Sequence, residues 1–158
     1  ALNLIKTIEM LGELNEIQMH NLLMSQASGR LGCSVDNQPY IVPVTYAYDG
    51  KYIYGQLTEG KKLEMLRKNN KVCFEVDMVM NMQNWQGVIV YGTFEELKGK
   101  DLKEAKDIFY SQNYPLSTGN KVHPHEHGVN VKLDDSNRVK PVMYRIKIKN
   151  KSGRFEKQ

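Results

Sequence analysis

Two adjacent cations, Lys61 and Lys62, stand where a short helix should begin. Thr58-Glu59-Gly60 precedes them, and Leu63, Met65 and Leu66 follow as a one-sided apolar set closing near Asn69-Asn70. Positive side chains in the first turn oppose the helix dipole and cost roughly 0.3–1 kcal/mol each when exposed. A bound anion reverses that sign, because free backbone N–H groups and two ammonium groups then converge on it. Without a ligand the pair is ordinary surface charge. A second group with chemical potential is His123, His125 and His127 in a His-Pro-His-Glu-His run. Alternate positions of an extended chain face one way, and imidazole suits zinc, copper or nickel. No cysteine lies nearby and Glu126 points away, so a polar loop is the expectation and no metal is assigned. Nucleophile elbow, zincin motif, P-loop and dinucleotide fingerprint are all missing, and no catalytic triad is expected.

The elements that must position the lysines are strands. Gln38 to Tyr48 alternates, with Tyr40, Val42, Val44, Tyr46 and Tyr48 on one face and Ile41, Pro43, Thr45 and Ala47 on the other. Pro43 cannot donate to a ladder, so the strand must be an edge, bulged or unpaired there. Asp49-Gly50 between two Tyr/Val/Ile-rich runs is a strong hairpin signal. It leads into a strand over 51–57 that delivers the chain to Lys61 and Lys62. Upstream, residues 1–12 read as an irregular arm with room for a short strand. Leu14, Ile17 and Leu22, flanked by Met19, Leu23 and Met24, predict a helix capped by Asn15 and stopped at Ser28-Gly29. His20 within it is expected at the surface. A strand over 30–35 and an Asp36-Asn37 turn follow. Downstream, Val72, Phe74 and Val76 mark a strand, and 78–84 a Met/Asn-rich connector. Trp85, the only tryptophan, opens the next strand, which runs to Leu97 with a bulge or bend at Gly92. Asp101 is the expected cap of a helix over 102–112. After an unreadable segment over 114–140, a closing strand is expected over 139–149.

Composition bounds the function. At 158 residues, 41% hydrophobic, the chain fits one domain over 1–158 with a sizeable core. The net charge of +4 is scattered, without the clustered basic face that nucleic acid requires. No apolar run approaches the ~20 residues that cross a membrane, and no signal-peptide core opens the chain. Two cysteines, Cys33 and Cys73, are too few for a disulfide framework. As buried reduced thiols they point to a cytoplasmic setting.

The ordered combination PYIVPV, hairpin, Gly-Lys-Lys helix, Asn-x-x-Val-x-Phe strand and Trp-x-x-Val-x-Val-x-Gly strand covers about residues 29–97. It resembles the flavin-binding split barrels of the pyridoxamine 5'-phosphate oxidase superfamily, and within them the nitroimidazole-resistance (Nim-like) proteins. The resemblance implies a mainly β fold, a six-stranded antiparallel Greek-key split barrel with about three helices. It implies a terminal turn at Ser152 to Phe155, and FMN, with FAD the alternative. Thr58, Lys61 and Lys62 would hold the phosphate, and Tyr54, Gly55, Gln56 and Leu57 would border the ribityl chain and ring. The free edge at Pro43, Val44 and Thr45 would offer peptide groups to the ring. Trp85, Gln86 and Gly87 would reach it across the interface of a homodimer. Many Nim-like relatives carry a histidine where this chain has Gly55, so that histidine's chemistry is not carried over. The implied function is an oxidoreductase passing electrons from reduced flavin to a small, nitroaromatic-type acceptor, with NAD(P)H as donor. A non-catalytic flavin-binding, carrier or sensing module is the alternative. A haem- or metal-handling barrel rests only on the three histidines, for one of which a place on the substrate side of the ring is the expectation ahead of metal.

Overall fold

The computed structural model describes residues 10–113 and 141–158. The expectations for 1–9 and for 114–140, including His123, His125 and His127, lie outside the described residues. In chain order the elements are β1 Met10–Glu13, α1 Glu16–Ser25, β2 Ser28–Val35, β3 Gln38–Tyr48, β4 Tyr52–Thr58, α2 Lys61–Lys68, β5 Lys71–Asn81, β6 Asn84–Glu96, α3 Gly99–Asn113 and β7 Pro141–Lys157. All pairings are antiparallel, in the order β1-β7-β4-β3-β2-β5-β6, and β6 returns to β7 to close a barrel of six strands. β1 adds a seventh strand on the outside. β7 makes this possible by its 17-residue length: Pro141–Lys147 pairs with β4, Arg154–Lys157 with β1, and β6 runs along the other side. No helix of the described residues is long and apolar enough to cross a membrane.

Local chemistry sets the turns. Asp36 and Asn37 both hold positive φ, 52° and 62°, as a two-residue hairpin turn demands. In the next hairpin Asp49 Oδ1 accepts from the N–H groups of Lys51 and Tyr52 at 2.8 and 2.7 Å, while Gly50 takes φ 91°. β6 bends where Gly92 passes Lys147: a Cβ there would stand 2.3 Å from the Lys147 carbonyl oxygen. The register against β7 shifts between Tyr91 and Gly92, so the expected bulge is present.

The barrel interior is filled by the inward halves of the strands, including Leu31, Val44, Ile53, Phe74, Val88, Val90, Tyr144 and Ile146. α1 closes one end. Asn15 and Gln18 exchange the reciprocal bonds of a capping box at 2.9 Å, and Tyr46 Oη donates to the Leu23 carbonyl at 2.6 Å. α3 covers the outside of β3, β4 and β7, burying Ala105 and Phe109 against Ala47, Tyr54 and Met143.

Several boundaries differ from expectation. The supposed connector after Val76 continues β5 to Asn81, because Met78 and Val79 find partners in Gln86 and Trp85. Ser152 to Phe155 is strand, paired along β6, and not a turn. α3 begins at Gly99, so Asp101 sits inside its first turn. Ile17 is 72% exposed, and the buried stripe of α1 is Met19, Leu22 and Leu23. Cys33 is buried, but Cys73 is only half-buried.

Candidate functional site

The barrel is open along one seam. β3 pairs with β4 only from Tyr46 to Tyr48, against Ile53 to Gly55. Between Gln38 and Thr45, β3 is paired with β2 alone among the described residues, and on β4 the stretch Gln56–Thr58 is paired with β7 alone. The Tyr46 N–H donates to Ala27 on the β2 side at 3.0 Å. By the alternation of an antiparallel strand, Thr45, Pro43 and Ile41 then turn their peptide groups into the seam. Pro43 has no N–H to leave unpaired there, which is why proline is tolerated.

α2 starts at the mouth of this seam. Its N-cap is Gly60, with no side-chain cap, and the first bond inside the helix is Glu64 N–H to the Gly60 carbonyl at 3.1 Å. The N–H groups of the preceding turn therefore lack an intrahelical acceptor. The Lys61 Nζ lies 5.5 Å from the centroid of the Tyr40 ring on β3, so it spans the seam. Lys62, half-buried, has no carboxylate partner among the described residues. The nearest acid in sequence, Glu59, is held away: Arg67 grips it with two bonds of 3.0 Å and reaches Glu96 at 2.6 Å. Those two carboxylates raise the Arg67 pKa. The mouth of the seam is thus left positive, with unsatisfied donors, which fits a phosphate.

Eight of the thirteen expected cofactor residues lie along this seam or at its mouth, whereas Tyr54 and Gly55 sit in the paired part of β4. Pro43 and Thr45 are exposed on the β3 edge, and Val44 is buried inward beside them. On β4, Gln56 is half-buried, Thr58 is exposed, and Leu57 faces the core. Tyr54 points to the opposite surface under α3, where its hydroxyl donates to Asp49 Oδ2 at 2.9 Å. Gly55 faces the interior. A Cβ on it would stand 2.2 Å from Tyr144 Oη, so the Tyr144 side chain occupies the volume that any residue-55 side chain would need. Burial pushes the Tyr144 pKa up and keeps this hydroxyl neutral.

Trp85, Gln86 and Gly87 lie elsewhere. Ile41, Gly32, Cys73 and Tyr91 are successive cross-strand neighbours on β3, β2, β5 and β6. Trp85 pairs with Val79, six residues beyond Cys73 along β5, so it stands about 20 Å further down the barrel at ~3.3 Å per residue. Within one chain β2 and β5 lie between this trio and the β3 side of the seam, and β7 lies between it and the β4 side, where Trp85 meets Glu156 and Gln56 meets Met143, thirteen positions apart along β7. Trp85 and Gln86 instead line an open cavity of about 350 Å³. Its apolar walls are Trp85 with Leu14, Met78, Met80 and Phe155, and its polar ones Gln18, Asn84, Gln86, Glu156 and Lys157. The Trp85 indole N–H donates to Glu156 Oε2 at 3.0 Å. Tyr40, Phe155 and Glu156 were not singled out in the sequence. The β6–β7 register that sets Trp85 against Glu156 joins positions 71 apart and leaves no local mark.

On the outer barrel face between these two regions, Arg30 Nη1 meets Asp77 Oδ2 at 3.3 Å beside Glu75. No group of three or more His, Cys, Asp or Glu positioned to hold a metal occurs among the described residues.

Comparison with known proteins agrees with this fold. A family model described as pyridoxamine 5'-phosphate oxidase matches residues 15–155. A FAD-binding protein from Mesorhizobium loti superposes with a TM-score of 0.75 at 28% identity, over 95% of this chain and 99% of that one. A candidate 5-nitroimidazole antibiotic resistance protein from Bacteroides thetaiotaomicron gives 0.70 at 16% identity, over 94% and 89%, a likeness of fold alone. An uncharacterized protein of Rhizobium meliloti is 40% identical over 68 residues, 43% of this chain and 45% of that protein, so less than half of the relative's length is matched.

Proposed function

Since the chain belongs to the pyridoxamine 5'-phosphate oxidase family, we propose that it binds a flavin in the open seam, FMN first and FAD as the alternative, as an oxidoreductase of small acceptors. The observation that carries this reading is the uncapped start of α2, where Lys61 and Lys62 meet no carboxylate and face an edge of β3 that is unpaired among the described residues. Thr58, Lys61 and Lys62 hold the phosphate by charge-assisted bonds and backbone N–H groups. The peptide groups of Pro43 to Thr45 orient the ring, and Gln56 lies along the ribityl chain. A flavin supplies the redox chemistry, while the chain binds, orients and shields it. NAD(P)H as donor and a nitroaromatic acceptor are the expected reaction partners, the latter in line with the description of the Bacteroides protein. The trio Trp85 to Gly87 reaches the ring from a second copy of the chain.

A second reading, a flavin-binding or carrier module without turnover, is favoured by Gly55. Tyr144 fills the space beside it, so residue 55 offers no side chain for proton transfer.

An absorbance scan of the purified protein, with FMN added back if needed, tests binding. Lys62→Ala should weaken FMN affinity by ten-fold or more, since a hydrogen bond to a charged group contributes roughly 1.5–3 kcal/mol. A bound flavin that bleaches with NADPH in the absence of oxygen, and recovers with a nitroimidazole, supports the oxidoreductase. One that never bleaches supports the carrier, and failure to take up FMN sinks the central reading.

A further inference from the structure

The cavity at Trp85 has a character of its own. Its walls come from three parts of the chain: Leu14 and Gln18 around the start of α1, the β5–β6 hairpin, and the end of β7. They are tied together by the Leu14 N–H to Gly153 carbonyl bond of 2.9 Å and by the Trp85–Glu156 bond. At about 350 Å³ it sits at the small end of ligand cavities, room for one ring system and not for a dinucleotide. Trp85 and Phe155 supply aromatic surface, and Met78 and Met80 supply polarizable thioethers, a lining that favours a planar aromatic guest. Met80 is left 79% exposed at the mouth, apolar surface without a partner. The polar groups select further. Glu156 spends Oε2 on the Trp85 indole, and among the described residues Oε1 has no partner. Gln86 donates its amide to Met78 Sδ at 3.8 Å, leaving its carbonyl oxygen as an acceptor. Lys157 is exposed, so its ammonium stays hydrated at the rim.

We propose that this cavity binds a small planar aromatic molecule carrying a hydrogen-bond donor, an amino-substituted or cationic ring, held by Trp85 and the free oxygen of Glu156. The binding site stands on the cavity alone, and only its place beside a flavin ring rests on the function proposed above.

Trp85 is the sole tryptophan, so its fluorescence reports on the cavity directly. Flavin-free protein titrated with benzamidine should show saturable quenching, at least ten-fold tighter than with benzoate, an anionic ring of the same size. Glu156→Gln keeps an acceptor for the indole and should abolish that preference, with the far-ultraviolet dichroism unchanged. Equal response to the two rings, or a preference that survives Glu156→Gln, overturns the proposal. The titration is then repeated on FMN-loaded protein. Benzamidine binding that persists supports a separate site, whereas competition means that the flavin ring fills the cavity and overturns it. If the protein takes up no FMN, the flavin reading fails while the first titration still decides this one.

Discussion

Glu75 is the ionisable group that its surroundings move into the neutral range. Its carboxyl is pushed up to about 7 by burial, then by a hydrogen bond shared with Asp77 and by the charge of that carboxylate, with Arg30 opposing. Between the usual carboxylate range and about 7, the folded chain keeps a proton that the unfolded chain has released. Stability is therefore full in mild acid and falls as pH rises through that window. Glu75→Gln keeps the shape and the hydrogen bond but removes the titration. Its urea midpoint should change less between about pH 5 and 7.5 than that of the parent, with the parent the less stable at the upper end. Equal slopes would refute the raised Glu75 carboxyl. Burial also pushes the Cys33 thiol up, with Cys73 adding to it, so Cys33 stays a packing residue.

At the scale of elements, two local devices are testable. Asn15→Ala removes the capping box of α1 and should cost about 1 kcal/mol by chemical denaturation. Gly92→Ala puts a Cβ against the Lys147 carbonyl, a backbone group that cannot swing away, and should cost roughly 1–3 kcal/mol. A neutral result would mean that the bulge in β7 can slide to make room. These are also the features that the sequence announced most clearly. The turns at Asp36-Asn37 and Asp49-Gly50, the cap at Asn15, the break at Pro43 and the bend at Gly92 each depend on one or two residues and their own backbone. What the sequence hid depends on distant partners. Met78 to Asn81 reads as a linker by composition and becomes strand because β6 folds back on it. Asn150 to Lys157 is too polar to announce a strand, and forms one because β6 and β1 hold it from both sides. The seam is legible through Pro43, Lys61 and Lys62. The cavity is not, because Phe155 and Glu156 acquire their role only through the β6–β7 register.

For the whole molecule, the expected flavin residues form two groups that one chain holds apart, with β2 and β5 between them on one side of the barrel and the length of β7 on the other. The surface separating them is part apolar: Ile41, Ile89 and Tyr91 are 69%, 39% and 47% exposed on the outer face of β3 and β6. Single exposed apolar residues are ordinary, but Ile89 and Tyr91 stand side by side on β6 with Ile41 in the same cross-strand row on β3, and apolar surface spread over one sheet face favours a covering partner. A second copy related by a two-fold axis would cover this face and carry its own Trp85, Gln86 and Gly87 toward the first copy's seam. Self-association and flavin affinity should then be linked, because a ligand held by both copies binds the pair better than the single chain. Ile89→Asp places a charge in the contact while touching neither lysine. It should shift the protein to the monomer in sedimentation velocity and weaken FMN binding by ten-fold or more. Lys62→Ala should weaken FMN binding to a similar degree while the dimer persists. The two variants thus separate loss of the phosphate site from loss of the second half of the ring site. An Ile89→Asp protein that is monomeric yet binds FMN as tightly as the parent would place the whole flavin site in one chain, leaving Trp85 to the cavity alone.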